Sequence, residues 1–344
     1  MNVNDGPLAG LVPLRLSDRP LLHDIFSRQA DPISDCSFAC TFIWSASLKL
    51  YWQQIHRHLC VFANGTGDLT LLSPPLPEPG ATADDMALAL RECFAVMDAY
   101  NDRCSDRSHS RIEYVSEPLL ARMRAAPGFD LDVAPMSADY VYDMARMIDL
   151  AGGPLQAKRS ARARFMRRFP DHRTEPLRPE HRQACVSLLF RWQKRAEEKF
   201  AGEPPSAEST SPGVLRRREV AACEFAIDYM DVLGLKGLAL FVGDELVGFT
   251  LGEALTSRQA SILIEKTHPD FVGAPQYIFA EFCRQCWADF PECNAGDDCG
   301  MPSLRFTKEA YRPIRRQNKY CLTRPAVLAP APLAAAAAPA ALCL

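Results

Sequence analysis

The stretch from Ile262 to Pro313 constrains this chain most, because a strand, a tight turn and a one-faced helix follow one another there without a break. Leu263 and Ile264 lead into Glu265-Lys266 as the last residues of a strand, and Asp270 to Gly273 form a turn. Apolar residues then recur three and four apart at Ile278, Phe279, Phe282, Cys286 and Trp287, as a helix packed on one face requires. A strand that ends in an acid and a base and is crossed by a helix belongs to an α/β layer fold, where ligand sites form at strand ends. Two charged clusters follow, Asn294-Ala-Gly-Asp297-Asp298-Cys-Gly300 and Lys308-Glu-Ala-Tyr311-Arg-Pro313.

Both halves of the chain read as the same order of elements. In the first, Ser17-Asp18 precedes a helix with Leu21, Leu22, Ile25 and Phe26 on one face, and Ser34 to Trp44 is a second short, aromatic-rich helix. Leu50 to Ser73 alternates as a meander through the turn Asn64-Gly65-Thr66-Gly67, and a Pro-rich loop over Pro74 to Gly80 follows. Thr82 with Asp85 caps a helix whose stripe is Met86, Leu90, Phe94 and Met97, and Ile112 to Val115 and Tyr140 to Met144 are further strands. In the second half, Leu177 to Phe200 and Arg218 to Leu233 are helices separated by a Pro-, Ser- and Glu-rich loop from Ala201 to Gly213. Leu238 to Val242 and Val247 to Leu251 pair through Gly243-Asp244, and Ala260 to Ile264 supplies the next strand. The plan β-β-β-α-β-α-β thus occurs twice.

Composition bounds the function. A net charge of −3 gives no global attraction to nucleic acid or an anionic membrane, so any such binding rests on a local patch. The apolar run from Gly234 to Gly252 is interrupted by Lys236, Asp244 and Glu245, and the N-terminus, with Asp5, lacks the basic-then-apolar order of a secretory signal. A cytoplasmic protein without a transmembrane segment is expected. The 13 cysteines are scattered, and the group Cys283, Cys286, Cys293 and Cys299 reads as buried or idle thiols, because the first two lie mid-helix rather than on a metal-binding knuckle. No metal is expected.

One stretch departs from the average charge. Lys158, Arg159, Arg162, Arg164, Arg167 and Arg168 are six basic residues with no acid between Ala151 and Pro170, while Ala161, Phe165 and Phe169 share one helical face. Such a helix is either a solvated basic surface or a receptor for phosphates.

The segments Ile264-Glu-Lys-Thr-His-Pro-Asp-Phe-Val-Gly273, Asn294 to Gly300 and Leu304 to Tyr320 resemble the C-terminal domain of bacterial phosphatidylglycerol lysyltransferases and its soluble relatives. The resemblance extends through Asp149-Leu-Ala-Gly152, Lys158-Arg159, Leu235-Lys-Gly237, Gly252-Glu253, Ser34 to Phe38 and Phe42 to Trp44, and so covers roughly residues 14 to 323. It implies two tandem acetyltransferase-like (GNAT) domains of mixed, mostly antiparallel sheet flanked by helices. The expected division is a scaffold over 14–145, a site-bearing domain over 146–323 and a disordered Pro/Ala tail over 324–344.

It further implies transfer of an aminoacyl group from aminoacyl-tRNA to a hydroxyl or amine, on a lipid headgroup or a soluble molecule, with no resident cofactor. In that reading Glu265, Lys266 and Asp298 are catalytic, and Lys158, Arg159, Asn294, Asp297, Lys308 and Tyr311 bind substrate. Lys158 and Arg159 would hold donor phosphates, Glu265 and Asp298 would handle the amine or the proton, and Lys266 would stabilise the oxyanion. Read from the residues alone, Glu265-Lys266 equally makes a strand-end salt bridge, and Tyr311 equally a core aromatic. The chain carries Asn294-Ala295-Gly296 where the family commonly has Asn-Arg-Glu. The rival readings are a coenzyme A acetyltransferase, opposed by Pro275 in the single-glycine loop Val272 to Gln276, and a non-catalytic module binding tRNA or an amino acid.

Overall fold

The structure, a computed structural model, describes residues 8, 10–65, 67–102, 110–199 and 212–325. Residues 201–211 of the expected loop and 326–344 of the expected tail lie outside them. The described residues form two compact units, one from 8–137 together with 317–325, the other from 138–316.

The first unit contains β1 (Val12–Pro13), α1 (Arg19–Ser27), α2 (Phe38–Trp44), β2 (Lys49–Ile55), β3 (His58–Asn64), β4 (Leu69–Pro77), α3 (Ala83–Asn101), β5 (Arg111–Ser116), α4 (Glu117–Arg124) and β6 (Asp132–Pro135). The second contains β7 (Asp139–Asp143), α5 (Met144–Asp149), α6 (Gln156–Arg168), β8 (His172–Pro176), α7 (Arg182–Lys199), α8 (Pro212–Leu233), β9 (Lys236–Val242), β10 (Glu245–Ala254), β11 (Gln259–Thr267), α9 (Ala274–Trp287), β12 (Glu292–Asn294), α10 (Pro302–Glu309) and β13 (Arg315–Gln317). The chain then returns to the first unit as β14 (Lys319–Thr323).

Each unit has a seven-stranded sheet, in the orders β1-β2-β3-β4-β5-β14-β6 and β13-β7-β12-β11-β10-β9-β8. Both runs, β2-β3-β4-α3-β5-α4-β6 and β9-β10-β11-α9-β12-α10-β13, follow the acetyltransferase-like plan, so the tandem fold expected from the sequence is the fold observed. In each, antiparallel hairpins lead to one parallel pair, β4 with β5 and β11 with β12, crossed by a helix as parallel neighbours require.

Two details differ from the sequence reading. The segment Pro74 to Pro77 is strand rather than loop, because the register of β4 on β3 shifts between Ser73 and Leu76 and the prolines fall where no ladder donor is needed. The strand at Tyr140 to Met144 does not close the first unit. It is β7, paired with β12 through Cys293↔Tyr142 and Asn294↔Val141 in the second sheet, while β14 takes its place between β5 and β6. The boundary therefore falls at 137/138 rather than 145/146, and the second unit ends at Arg316.

The core of the second unit is built on Tyr140, Tyr142, Phe165, Ile278, Phe282, Trp287 and their neighbours from β7, α6 and α9. No helix among the described residues is long and apolar enough to cross a membrane.

Candidate active site

The site follows from how β11 and β12 part. The two strands pair only over Gln259–Ser261 with Glu292–Asn294, after which β12 ends and β11 continues to Thr267 against β10 alone. Successive residues of a strand point to opposite faces, so Glu265 and Lys266 separate. Lys266 turns to the α7 and α8 side, where its Nζ pairs with the Glu219 carboxylate and lies 4.1 Å from the centroid of Trp192. Burial opposes its charge, but Glu219 outweighs that and holds its pKa above the usual lysine range. Lys266 is thus a neutralised packing group on the back of the strand, and the oxyanion role that requires it to share a cleft with Glu265 is not supported by its position.

Glu265 faces α9 and the turn after β12. Its Oε2 is buried and accepts no hydrogen bond. Burial pushes its carboxyl up from 4.5 to about 8, and the nearby Lys308 and Lys266 only temper the rise. Glu265 is therefore largely a neutral acid at pH 7, able to take and return a proton near that pH.

Beside it stands Tyr311, buried in an aromatic cluster with Tyr142 at 6.0 Å and Phe279 at 5.2 Å between centroids. Burial, and then the Glu265 charge, raise the phenol pKa, while a hydrogen bond to Gln276 works against the rise. Over the same ring, 4.2 Å from its centroid, lies the ammonium of Lys158. Burial lowers the Lys158 pKa, and Lys158 forms no ion pair or hydrogen bond among the described residues. The phenol ring thus holds an uncompensated cation on its face, with an uncompensated acid in its field.

The other expected site residues have fixed structural partners. Arg159 donates from Nη1 to the carbonyls of Leu150 and of Gly152 (2.6 Å for Gly152), bracing a turn in which both residues have positive φ. Asn294 donates to Asp139 at 2.9 Å and accepts from the Gly296 N–H at 2.8 Å, closing the end of β12. Asp297 accepts from the Cys299 N–H at 2.9 Å. Lys308 donates to the carbonyls of Ala295 (2.5 Å) and Asp297, so it fixes the turn while its charge still acts on Glu265.

Asp298 accepts from the Tyr140 hydroxyl at 2.6 Å, from Arg305 Nε at 2.9 Å and from the Gly300 N–H at 2.9 Å. Burial alone would raise its pKa, but these donors hold it below the usual carboxylate range. A carboxylate so stabilised is a poor base, and its position makes it an anchor of the turn. Among the grouped cysteines, Cys283 and Cys293 are free thiols hydrogen-bonded to one another and Cys286 is a half-buried free thiol, whereas Cys299 is disulfide-bonded, contrary to the expectation of idle thiols.

Sequence reasoning does not reach Gln276, whose only signal is its place in the first turn of α9 after a Gly273-Ala274-Pro275 helix start. Nor does it reach Glu219, Trp192 and Tyr140, which lie far along the chain from the groups they hold.

The family named phosphatidylglycerol lysyltransferase, C-terminal, matches the chain over residues 28–323. The chain belongs to this family. The family is one of acyltransferases. A conserved protein of unknown function from Bacteroides thetaiotaomicron superposes with a TM-score of 0.76 at 23% identity, covering 92% of this chain and 99% of that one. The C-terminal domain of a putative lysylphosphatidylglycerol synthetase from Agrobacterium fabrum gives 0.59 at 14% identity over 90% and 92%. L-PGS from Bacillus licheniformis gives 0.53 at 13% identity over 82% and 85%. At these identities the likeness establishes the fold. An uncharacterised protein of Mycoplasmoides gallisepticum is 22% identical over 178 residues, 52% of this chain, and the chain spans about half the length of that curated relative (53%).

Proposed function

We propose that the chain is an aminoacyltransferase that moves an aminoacyl group from a charged tRNA to a hydroxyl or amine acceptor, either a lipid headgroup or a small molecule. The observation that carries this reading is the pair of uncompensated groups around Tyr311, the buried acid Glu265 and the cation Lys158. The acceptor oxygen or nitrogen attacks the ester carbonyl, and Glu265 as carboxylate takes the proton that the acceptor loses. The ester's ribose oxygen leaves with that proton when the tetrahedral intermediate collapses. A base with a pKa near the working pH suits this exchange, and an ammonium held against an aromatic face suits the negative charge of the oxyanion or of a terminal phosphate. Lys308 holds the turn that frames the site, and no metal or covalent intermediate enters.

The geometry of α9 favours this reading over coenzyme A. Pyrophosphate binding needs free backbone donors at the start of the helix that follows the parallel crossover. Here the Ala274 N–H is already bonded to the Phe271 carbonyl at 2.9 Å, and Pro275 has none. Gly273, at φ +96°, lies so close to α6 that a Cβ there would sit 2.4 Å from the Ala161 carbonyl oxygen. Helix α6 occupies the space over the loop.

The test is transfer of a labelled amino acid from aminoacylated tRNA to lipid extracts and to soluble amines and alcohols, with wild type, Glu265→Gln and Lys158→Met. Transfer by wild type that falls at least about 100-fold in each variant is expected for loss of a general base or an oxyanion donor. Acetyl transfer from acetyl coenzyme A without aminoacyl transfer would overturn the proposal.

A further inference from the structure

The first unit has a cavity of its own. It opens between α3 and the loop from Ala126 to Leu131 that joins α4 to β6, and its volume is about 880 Å³, within the range of ligand-binding clefts. Its lining is largely apolar. Leu90 and Phe94 are buried, Phe129 and Leu131 stand half-buried on the loop, and Leu88 is 38% exposed, so the cleft is open to solvent. The charges that line it cancel, Asp84 and Asp130 against Arg91 and Arg324. An apolar cleft without net charge selects an uncharged occupant, because a charged one would be desolvated with nothing to repay it.

The chain itself supplies such an occupant. Strand β14 pairs with β6 as far as Thr323↔Asp132 and runs on into Arg324 and Pro325, both of which line the cleft. The Arg324 guanidinium pairs with Asp98 of α3 and lies 4.9 Å from the centroid of Phe94. The chain therefore leaves the sheet pinned at the Phe94 end of the cleft. The next 19 residues, Ala326 to Leu344, are Ala, Pro, Leu, Val and one Cys, with no charged side chain.

We propose that the segment from Ala326 to Leu333 docks in this cleft, so that the first unit is covered by the chain that follows its own last strand. Reach and pattern both fit. From Phe94 to Asp84 the α3 wall is about 15 Å long, and eight residues in polyproline II geometry span about 25 Å. Pro325, Pro330 and Pro332 favour that geometry, because each fixes its own φ and restricts the residue before it. With three residues per turn, Val327, Pro330 and Leu333 share one ridge, as in proline-rich segments that dock on aromatic-lined grooves. Tethering favours this segment over any free peptide, since a connection of a few residues holds it at about millimolar effective concentration. An anionic small molecule fits less well, because the balanced charges offer it no net attraction.

The test is competition on the full chain. A fluorescent peptide of residues 326–333 is titrated by anisotropy against wild type, against the segment variant Val327→Asp/Pro330→Asp/Leu333→Asp, and against that variant with Leu88→Glu added. The segment variant, its cleft vacated, should bind the peptide. Wild type should bind it about tenfold more weakly, the factor set by an effective concentration of about 1 mM competing with a peptide Kd of about 0.1 mM. Adding Leu88→Glu should cost at least about tenfold, because it sets a charge against an apolar occupant. Thermal midpoints of all variants separate lost binding from unfolding, and Leu88→Ser, which adds no charge, replaces Leu88→Glu if the midpoint falls. Equal affinity for wild type and the segment variant, or no binding by the segment variant, would overturn the docking. Peptide binding that the Leu88 substitutions leave unchanged would place it outside the cleft and overturn it too. A wild type that is dimeric by light scattering, and monomeric once the segment is substituted, would give the cleft to a second copy and overturn docking within one chain.

Discussion

Glu265 makes a quantitative prediction about stability. Its carboxyl titrates near 4.5 when exposed in the unfolded chain and near 8 in the fold. Its folded-state pKa is raised, so the folded chain holds a proton that the unfolded chain has released, and stability falls as pH rises between those values. The loss accrues at about 1.4 kcal/mol per pH unit, reaching about 3 kcal/mol at pH 7 and about 5 kcal/mol above pH 9, with almost none below pH 4. Glu265→Gln keeps the shape and removes the titration. Its amide inherits the position of the unpartnered Oε2, at a cost of about 1–3 kcal/mol that does not vary with pH. The signature is therefore the slope and not the offset. Relative to wild type, the variant should gain about 4 kcal/mol between pH 5 and pH 9, measured as urea unfolding at pH 5, 7 and 9 with both proteins under identical conditions. The subtraction removes every other titrating group. A difference that stays constant with pH would refute the buried neutral acid. A variant that becomes less stable than wild type at high pH would show instead that Glu265 is ionised and paired, with Lys308 as the nearest candidate.

Four further outcomes test the site. If Glu265 is the base, kcat/KM for transfer should rise with pH and level off above an apparent pKa of about 8, and the residual activity of Glu265→Gln should lack that rise. Lys266→Met should cost about 3–5 kcal/mol by stranding the buried Glu219 charge, and adding Glu219→Gln should recover most of it in the same denaturation assay. Asp298→Asn should cost about 1–3 kcal/mol near neutral pH. Because the folded Asp298 pKa is depressed, that contribution is present above its unfolded pKa of about 3.9 and should vanish as acid is added, seen as converging midpoints of wild type and variant. Gly273→Ala should shift α6 or destabilise the second unit, read as lost hydrogen-exchange protection in α6, because the added Cβ meets backbone at 2.4 Å and the φ of +96° strains any other residue.

What the sequence discloses and what it withholds divide along the separation of partners in the chain. The capping box of Thr82 with Asp85 and the Gly243-Asp244 hairpin are local devices, and both are read directly from neighbouring residues. The opposite facing of Glu265 and Lys266 follows from the pleat alone. What each then meets does not, because Glu219 is 47 residues from Lys266 and Tyr140 is 158 from Asp298. The exchange of β7 and β14 between sheets has the same cause, since an apolar strand carries no mark of which sheet it will join. The basic run on α6 shows the limit for charge. Six basic residues in sequence look alike, yet Arg159 and Arg162 cap backbone carbonyls, Lys158 lies on the Tyr311 ring, and the exposed Arg164 and Arg167 make no hydrogen bond or ion pair among the described residues.

That sorting bears on how the site came to be where it is. The first unit has the same crossover, with β4 beside β5, but its β4 ends in Ser73-Pro-Pro-Leu76-Pro77, which offers nothing to titrate. The second unit places an acid at the matching strand end and leaves its outer oxygen without a donor, although Lys308 is close enough to act on it. Lys308 is tied instead to two turn carbonyls, and Lys266 to Glu219, so the two cations able to neutralise Glu265 are both committed elsewhere. A destabilisation of about 5 kcal/mol at high pH is a large share of the stability of an ordinary domain. One hydrogen bond from Lys308 would remove it. Holding that lysine on the turn keeps the carboxyl neutral but ready to ionise, which an ion pair would prevent. The fold supplies the gap between β11 and β12, and the commitment of the neighbouring cations supplies the reactive group within it.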